Sequence, residues 1–175
     1  MKEVPSVFFI GGFLGAGKTT AILELARIFS GKGIRVAAIT NDQAEGLADT
    51  FFLSHGGVPV QEIAGSCFCC NFNGLVDAIR HSIESADPHV ILAEPVGSCT
   101  DIVATVIRPM RALMSDTVRV LSYSVLVEPD RWHELGDEAS PAAWSMRYLF
   151  HKQLQEADFI VVTKLDTLDD HAGRQ

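Results

Sequence analysis

The feature that most restricts what this chain can fold into is the octet Gly12-Phe13-Leu14-Gly15-Ala16-Gly17-Lys18-Thr19, which follows an apolar run over Ser6–Ile10 and opens a segment with helical spacing. It matches G-x-x-x-x-G-K-[ST], and a strand before and a helix after are the setting in which that pattern has physical meaning. The glycines let successive backbone N–H groups turn inward around a phosphate, and the N-terminus of the following helix adds a favourable dipole. Gly12, Gly15, Ala16, Gly17, Lys18, Thr19 and Thr20 are therefore candidate phosphate contacts. Lys18 would neutralise the β- and γ-phosphates of a nucleotide, and Thr19 would offer its hydroxyl to magnesium. The alternative is a glycine-rich turn with a chance Lys-Thr pair, and the flanking elements argue against it.

The rest of the chain agrees with that setting. Short continuous apolar runs alternate with longer segments of helical spacing, the pattern of an α/β fold with a mostly parallel sheet and helices on both faces, a three-layer α/β/α arrangement. Strands are expected over Ser6–Ile10, Ile34–Thr40, Val58–Glu62, His89–Glu94, Arg119–Val127 and Phe159–Thr163, most of them without polar alternation and so covered on both faces. Helices are expected over Lys18–Phe29, Leu75–Ser85, Thr100–Met114 and Ala143–Glu156, while Asn41–Gly57 and Glu128–Pro141 read as loops with a helical turn each. No repeat or low-complexity linker divides the 175 residues, which fit one domain.

Composition excludes several classes. With 14 basic against 22 acidic residues the net charge is −8, so the overall field repels a polyanion and nucleic acid is not an expected partner. At 47% hydrophobic the chain has ample material for a core. Every apolar run is interrupted well before the roughly 18 residues of a membrane span, so no membrane partner is expected. The run Val7–Ala16 leads into Gly17-Lys18-Thr19-Thr20 rather than a small-residue cleavage site, and it is not read as a secretory leader. Three of four cysteines fall within Cys67–Cys70, which suits a thiol or metal cluster better than structural disulfides; a cytoplasmic location is expected.

Further motifs gather at strand ends. His89-Val90-Ile91-Leu92-Ala93-Glu94 ends in a carboxylate suited to the magnesium of a P-loop enzyme, and the E-x-x-G spacing to Gly97 brings a backbone N–H within reach of a γ-phosphate. Asn41-Asp42 follows the second expected strand, at the edge where ligands of open α/β sheets collect. Asp42 would hold magnesium or orient the attacking water, or it forms a simple turn. Thr163-Lys164-Leu165-Asp166 follows the last strand; the Asp166 carboxylate can accept two hydrogen bonds from a guanine edge while the stem of Lys164 packs over the base, which favours GTP over ATP. Cys67-Phe68-Cys69-Cys70 packs three soft ligands into a turn before a helix, and thiolates bind zinc and similar ions. Buried structural cysteines are the alternative there. Cys99, two residues beyond Gly97, reads as a small buried side chain, with further ligation the other option.

These motifs, in this order from Val7 to Asp166, resemble the CobW-like metallochaperone GTPases, the group that includes CobW, nitrile hydratase activators and zinc-transfer GTPases and is related to UreG and HypB. The resemblance implies a slow GTPase that couples nucleotide state to delivery of zinc or cobalt, or to cobalamin-related metal insertion. Carried over by position, Thr19, Asp42 and Glu94 serve magnesium, with Lys18, Asp42 and Glu94 as the catalytic set. Cys67, Cys69 and Cys70 hold the transition metal, and Gly97, Lys164 and Asp166 complete the GTP site. A client metalloprotein or metal-cofactor enzyme is the implied partner, with a homodimer as a second route to faster turnover. The alternative is a GTPase chaperone for a corrinoid-type enzyme in which the cysteines are not the cargo site. The resemblance also implies a strand and helix after the base motif; with Asp166 nine residues from the end, residues 1–175 are expected to be a nucleotide-binding domain truncated at its C-terminal side.

Overall fold

The computed structural model describes residues 4–41, 48–63, 65–136 and 141–168. Six strands, β1 (Ser6–Gly12), β2 (Val36–Thr40), β3 (Val60–Glu62), β4 (Val90–Glu94), β5 (Arg119–Val127) and β6 (Phe159–Val162), form one sheet in the order β3-β2-β4-β1-β5-β6. Every pairing is parallel. Parallel neighbours need long crossovers, which helices provide: α1 (Lys18–Ser30), α2 (Ala48–His55), α3 (Phe72–Ala86), α4 (Arg108–Leu113), α5 (Pro129–Gly136) and α6 (Trp144–Glu156). The expected α/β fold is present.

The continuous apolar character of β1 has its reason in the two cores. Val7 and Phe9 point into a cluster with Phe68, Ile79, Ile91 and Tyr123 on one face, whereas Ile10 joins Ile22, Leu53, Leu92 and Leu126 on the other. A strand that feeds both faces has no position for a polar side chain. Parallel register then brings the C-terminal strand ends to one edge: Thr40 pairs with Glu94 and with Glu62, and Gly12 pairs with Leu126.

Three expectations are corrected. The two loops each hold a helix, α2 and α5, of eight residues rather than a single turn. The segment Thr100–Met114 is not one α-helix: Val103–Ile107 is a π-helical turn that runs into α4. Pro109 explains it, because a proline inside an α-helix lacks a donor and clashes with the carbonyl four residues back. The wider turn, in which the Arg108 N–H reaches the Val103 carbonyl five residues back, makes room for it. Finally, β6 is not covered on both faces; Phe159, Ile160, Val161 and Val162 are all exposed, since β6 is the outermost strand and no described element packs over it. Val161 and the flank of α1 border an apolar cavity of about 450 Å³.

Candidate functional site

The loop between β1 and α1 is shaped for an anion. Gly15 and Gly17 both adopt φ of 86°, a left-handed backbone that other residues enter at a cost. Gly17 caps α1 without a side-chain hydrogen bond, and no acidic residue stands in the first turn, so neither a cap side chain nor a first-turn carboxylate competes with an anion for the helix start. The residues that face the resulting cleft of about 400 Å³ include Gly15, Gly17, Lys18, Thr19, Thr20, Glu94 and Lys164. Gly12 ends β1, and Ala16 is buried at the base of the loop.

Lys18 places a cation at a helix N-terminus, where the dipole disfavours it. Its surroundings compensate. The Nζ donates to the Phe13 carbonyl at 3.2 Å and lies 3.6 Å from Glu94 Oε1, with Lys18 7% and Glu94 5% exposed. The Thr19 hydroxyl donates to Glu94 Oε2 at 3.5 Å. A hydroxyl and a carboxylate side by side, both hard oxygen donors beside a phosphate loop, fit magnesium. Asp42 lies outside the described residues. Its neighbour Asn41 is buried, and its backbone N–H donates to the Glu94 carbonyl at 3.1 Å. The Asn41 amide Nδ2 donates to the carbonyls of Ile63 at 2.7 Å and Ser66 at 2.5 Å. Through its backbone N–H on one side and its side chain on the other, Asn41 ties the phosphate edge of the sheet to the residue before Cys67.

The cysteine turn is anchored by Phe68, fully buried and edge-on to Phe9 with ring centroids 6.4 Å apart. The Cys67 carbonyl accepts from Cys70 N–H at 3.0 Å and Asn71 N–H at 2.9 Å, and the Asn71 side chain caps α3 by accepting from Gly74 N–H at 3.0 Å. This cap starts α3 at Phe72, three residues before the expected Leu75. Cys67 and Cys69 flank the anchor with sulfurs 2.8 Å apart, whereas Cys70 is exposed with its sulfur 4.0 Å from Cys69. The thiol that joins the pair is Cys99: the sulfurs of Cys67, Cys69 and Cys99 lie within 4.8 Å of one another. Burial opposes ionisation of Cys67, but hydrogen bonds from Cys69 and Cys70 outweigh it and bring its pKa down to about 7. Burial, then the hydrogen bond and charge of Cys67, push Cys69 up to about 12. Burial likewise raises Cys99, and the hydrogen bond with Cys67 raises Cys70.

The turn that presents Cys99 touches the phosphate loop. A side chain at Gly97 would meet Leu14 N at 3.0 Å and Gly12 O at 3.1 Å, so the two backbones pack directly. Cys99 N–H donates to the Val96 carbonyl at 2.9 Å, closing the turn. Two residues on α6, three apart and so on one face, lie behind it. Gln153 Nε2 donates to the carbonyls of Gly97 at 2.8 Å and Cys99 at 3.0 Å. The Glu156 carboxyl faces the backbone of Val103, Asp101 and Ile102, and burial raises its pKa against the lowering influence of those N–H groups. Nothing in the sequence marks Gln153 or Glu156.

At the base motif, the Thr163 hydroxyl donates to the Ala16 carbonyl at 2.9 Å, which fastens β6 to the phosphate loop. Lys164, at φ 52°, lines the cleft and donates from Nζ to Glu128 Oε2 at 2.5 Å. Asp166 is exposed in the 3-10 turn Leu165–Leu168 and does not line that cleft. Thr163 carried a legible signal as the first letter of T-K-x-D; Glu128 carried none.

A profile of the family described as CobW/HypB/UreG, nucleotide-binding domain, matches residues 6–175. The zinc chaperone YeiR of Escherichia coli (strain K12) is 36% identical over 90 residues, which are 50% of this chain and 27% of YeiR. The urease accessory protein UreG of Ureaplasma parvum serovar 3 is 41% identical over 61 residues, 35% of this chain and 30% of UreG. The crystal structure of Zn(II)-bound YjiA GTPase from E. coli superposes with a TM-score of 0.59 at 17% identity, covering 94% of this chain and 50% of that one. At that identity the likeness concerns the fold. The chain spans about half the length of that structure, and the matched segments span less than a third of the curated relatives.

Proposed function

We propose that this chain, which belongs to the CobW/HypB/UreG nucleotide-binding domain family, binds and slowly hydrolyses GTP and couples its nucleotide state to delivery of a transition metal, zinc in the first instance. One observation carries the reading: Asn41 bonds both to the strand end that bears Glu94 and to the carbonyl before Cys67, so the phosphate site and the cysteine turn share a rigid link. The likeness to the zinc chaperone YeiR and to the Zn(II)-bound YjiA GTPase supports the pairing of nucleotide and zinc.

In this reading the N–H groups of Gly15–Thr19 cradle the phosphates and Lys18 balances their charge. Thr19 and Glu94, with Asp42, hold magnesium, which when bound supplies charge neutralisation at the β- and γ-phosphates. The β-γ bond breaks as water attacks, with Asp42 orienting the water. Lys164 and Asp166 read the guanine base. Cargo zinc sits at the cysteine cluster, and the acceptor is a client metalloprotein or metal-cofactor enzyme. Cobalt is the second cargo the thiols would take. Dimerisation or the client accelerates turnover.

The test is Lys18→Ala together with metal competition on reduced protein, with and without a nonhydrolysable GTP analogue. Hydrolysis is expected to fall by about 100-fold or more, the scale of removing one charge-stabilising donor, and zinc affinity is expected to depend on nucleotide. GTP turnover untouched by K18A would end the enzyme reading. Zinc binding weaker than micromolar would end the metallochaperone reading.

A further inference from the structure

We propose that Cys99, not Cys70, is the third thiolate of the cargo site, and that it is the residue through which the nucleotide reaches the metal. The inference rests on the reading above and assigns the coupling to one side chain.

Geometry selects Cys99. Three thiolates around one tetrahedral ion at bond lengths of about 2.3 Å stand about 3.8 Å apart. Cys67, Cys69 and Cys99 already lie within 4.8 Å of one another, on two separate turns, and small rotations of the side chains bring them into range. Cys70 lies 4.0 Å from Cys69 sulfur to sulfur, but it is exposed and falls outside the set of three sulfurs within 4.8 Å of one another. Each thiol that joins the ion releases its proton to solvent. Three thiolates leave a fourth position, where an acceptor's ligand can enter before any of the three departs.

Position in the chain makes Cys99 the coupling residue. Cys67 and Cys69 belong to the turn before α3, whereas Cys99 belongs to the turn whose Gly97 packs on the backbone of Gly12–Leu14. Only Ser98 separates the part that feels the phosphate loop from the part that holds the metal. The Cys99 N–H bond to Val96 and the paired bonds from Gln153 make that turn one unit, so a displacement at Gly97 is not absorbed before it reaches the sulfur. Metal sites tolerate ligand distances within about 0.2 Å. Displacement of the turn when a γ-phosphate binds therefore changes the reach of the third sulfur. Linkage is reciprocal: if nucleotide tunes metal affinity through Cys99, bound metal tunes nucleotide affinity by the same factor.

The experiment uses the full reduced chain with Co(II) chloride as the probe, since the thiolate-to-cobalt absorption scales with the number of sulfurs bound. It is run with GDP and with a nonhydrolysable GTP analogue on wild type, Cys99→Ser and Cys70→Ser. Wild type is expected to bind three thiolates, with a cobalt affinity that differs about 5- to 150-fold between the two nucleotides, the usual range of coupling. C99S is expected to bind two thiolates and to lose the difference to under twofold, and C70S is expected to match wild type. Three thiolates in C99S, a lost thiolate in C70S, or an undiminished nucleotide effect in C99S would overturn the proposal while leaving the metallochaperone reading intact. No thiolate absorption in wild type would overturn both. Should C99S not fold, wild type decides alone. Under the proposal Cys70 stays open to alkylation in the cobalt-loaded protein, and protection of Cys70 by cobalt overturns it.

Discussion

Gln153 offers a sharp physical test of how the turn at Gly97–Cys99 is held, because a single atom can be changed there. In Gln153→Glu the shape is kept, but the Nε2 that donates to two carbonyls at 2.8 and 3.0 Å becomes an oxygen facing two oxygens. The site is 2% exposed, and Glu156 stands three residues away on the same helix face, so a second negative charge there is disfavoured twice. The introduced carboxyl is accordingly expected to stay protonated, with one O–H in place of the amide donors. Holding a carboxyl neutral at pH 7 against an ordinary value of about 4.3 costs about 1.36 kcal/mol for each of about 2.7 pH units, or about 3.7 kcal/mol. The sign follows from the direction. A carboxyl whose folded pKa is raised shows no ionic penalty below the unfolded value of about 4.3, and the penalty grows as pH rises towards the folded value. Urea unfolding of Q153E and wild type, followed by circular dichroism at pH 5, 6 and 7, should therefore show a stability difference that widens by about 1.4 kcal/mol per pH unit. Gln153→Leu serves as the uncharged control. It loses two hydrogen bonds, about 1–3 kcal/mol together, partly offset because it also removes the buried Oε1 that lacks a partner among the described residues. Its effect should not depend on pH. A Q153E penalty that is constant from pH 5 to 7, or below about 1 kcal/mol at pH 7, would refute the argument that the donor faces two buried carbonyls.

Two more outcomes follow from the same site. Gly97→Ala puts a methyl 3.0 Å from Leu14 N and 3.1 Å from Gly12 O, backbone atoms that cannot rotate away. Overpacking of about 1–3 kcal/mol is expected to appear as a loss of GDP affinity of about 5- to 150-fold in a fluorescent-nucleotide titration, and affinity within twofold of wild type would contradict the packing. In the metal-free reduced protein, Cys67 should be the first thiol alkylated by iodoacetamide, with a rate that rises through a midpoint near pH 7, since its pKa is lowered to about 7 against burial by the neighbouring thiols. Peptide mass spectrometry reads the site. A midpoint near the ordinary thiol value, or faster reaction at Cys69, would show that the thiols do not share hydrogen bonds as described.

The candidate site was legible where a short stretch of chain carries its own geometry. Gly12–Thr19 is a local instruction: the glycines permit the inward turn, the apolar run before it makes a strand, and the spacing after it makes a helix. The E-x-x-G ending and the cysteine turn are local in the same sense, and each lies at the strand end or helix start expected of it. Boundaries shifted where a side chain decided them, as with the Asn71 cap that starts α3 early and Pro109, which opens Val103–Ile107 into a π-helical turn. The helices α2 and α5 were missed because their apolar periodicity is too short to separate from a loop with a few buried residues.

What the amino-acid sequence determined by itself was the alternation of strands and helices and the order of the motifs along the chain, because each depends on residues a few positions apart. The tertiary structure decided which distant residues meet. Parallel register draws the ends of β1, β2 and β4 to one edge, so Cys99 arrives beside Cys67 and Cys69 from a distant part of the chain and Gln153 reaches Gly97 from α6. No periodicity encodes such meetings; they follow from where the crossovers deposit each strand. The exposure of β6 has the same origin, since the apolar pattern of Phe159–Val162 states what could be buried, and only its place at the rim of the sheet decides that it is not.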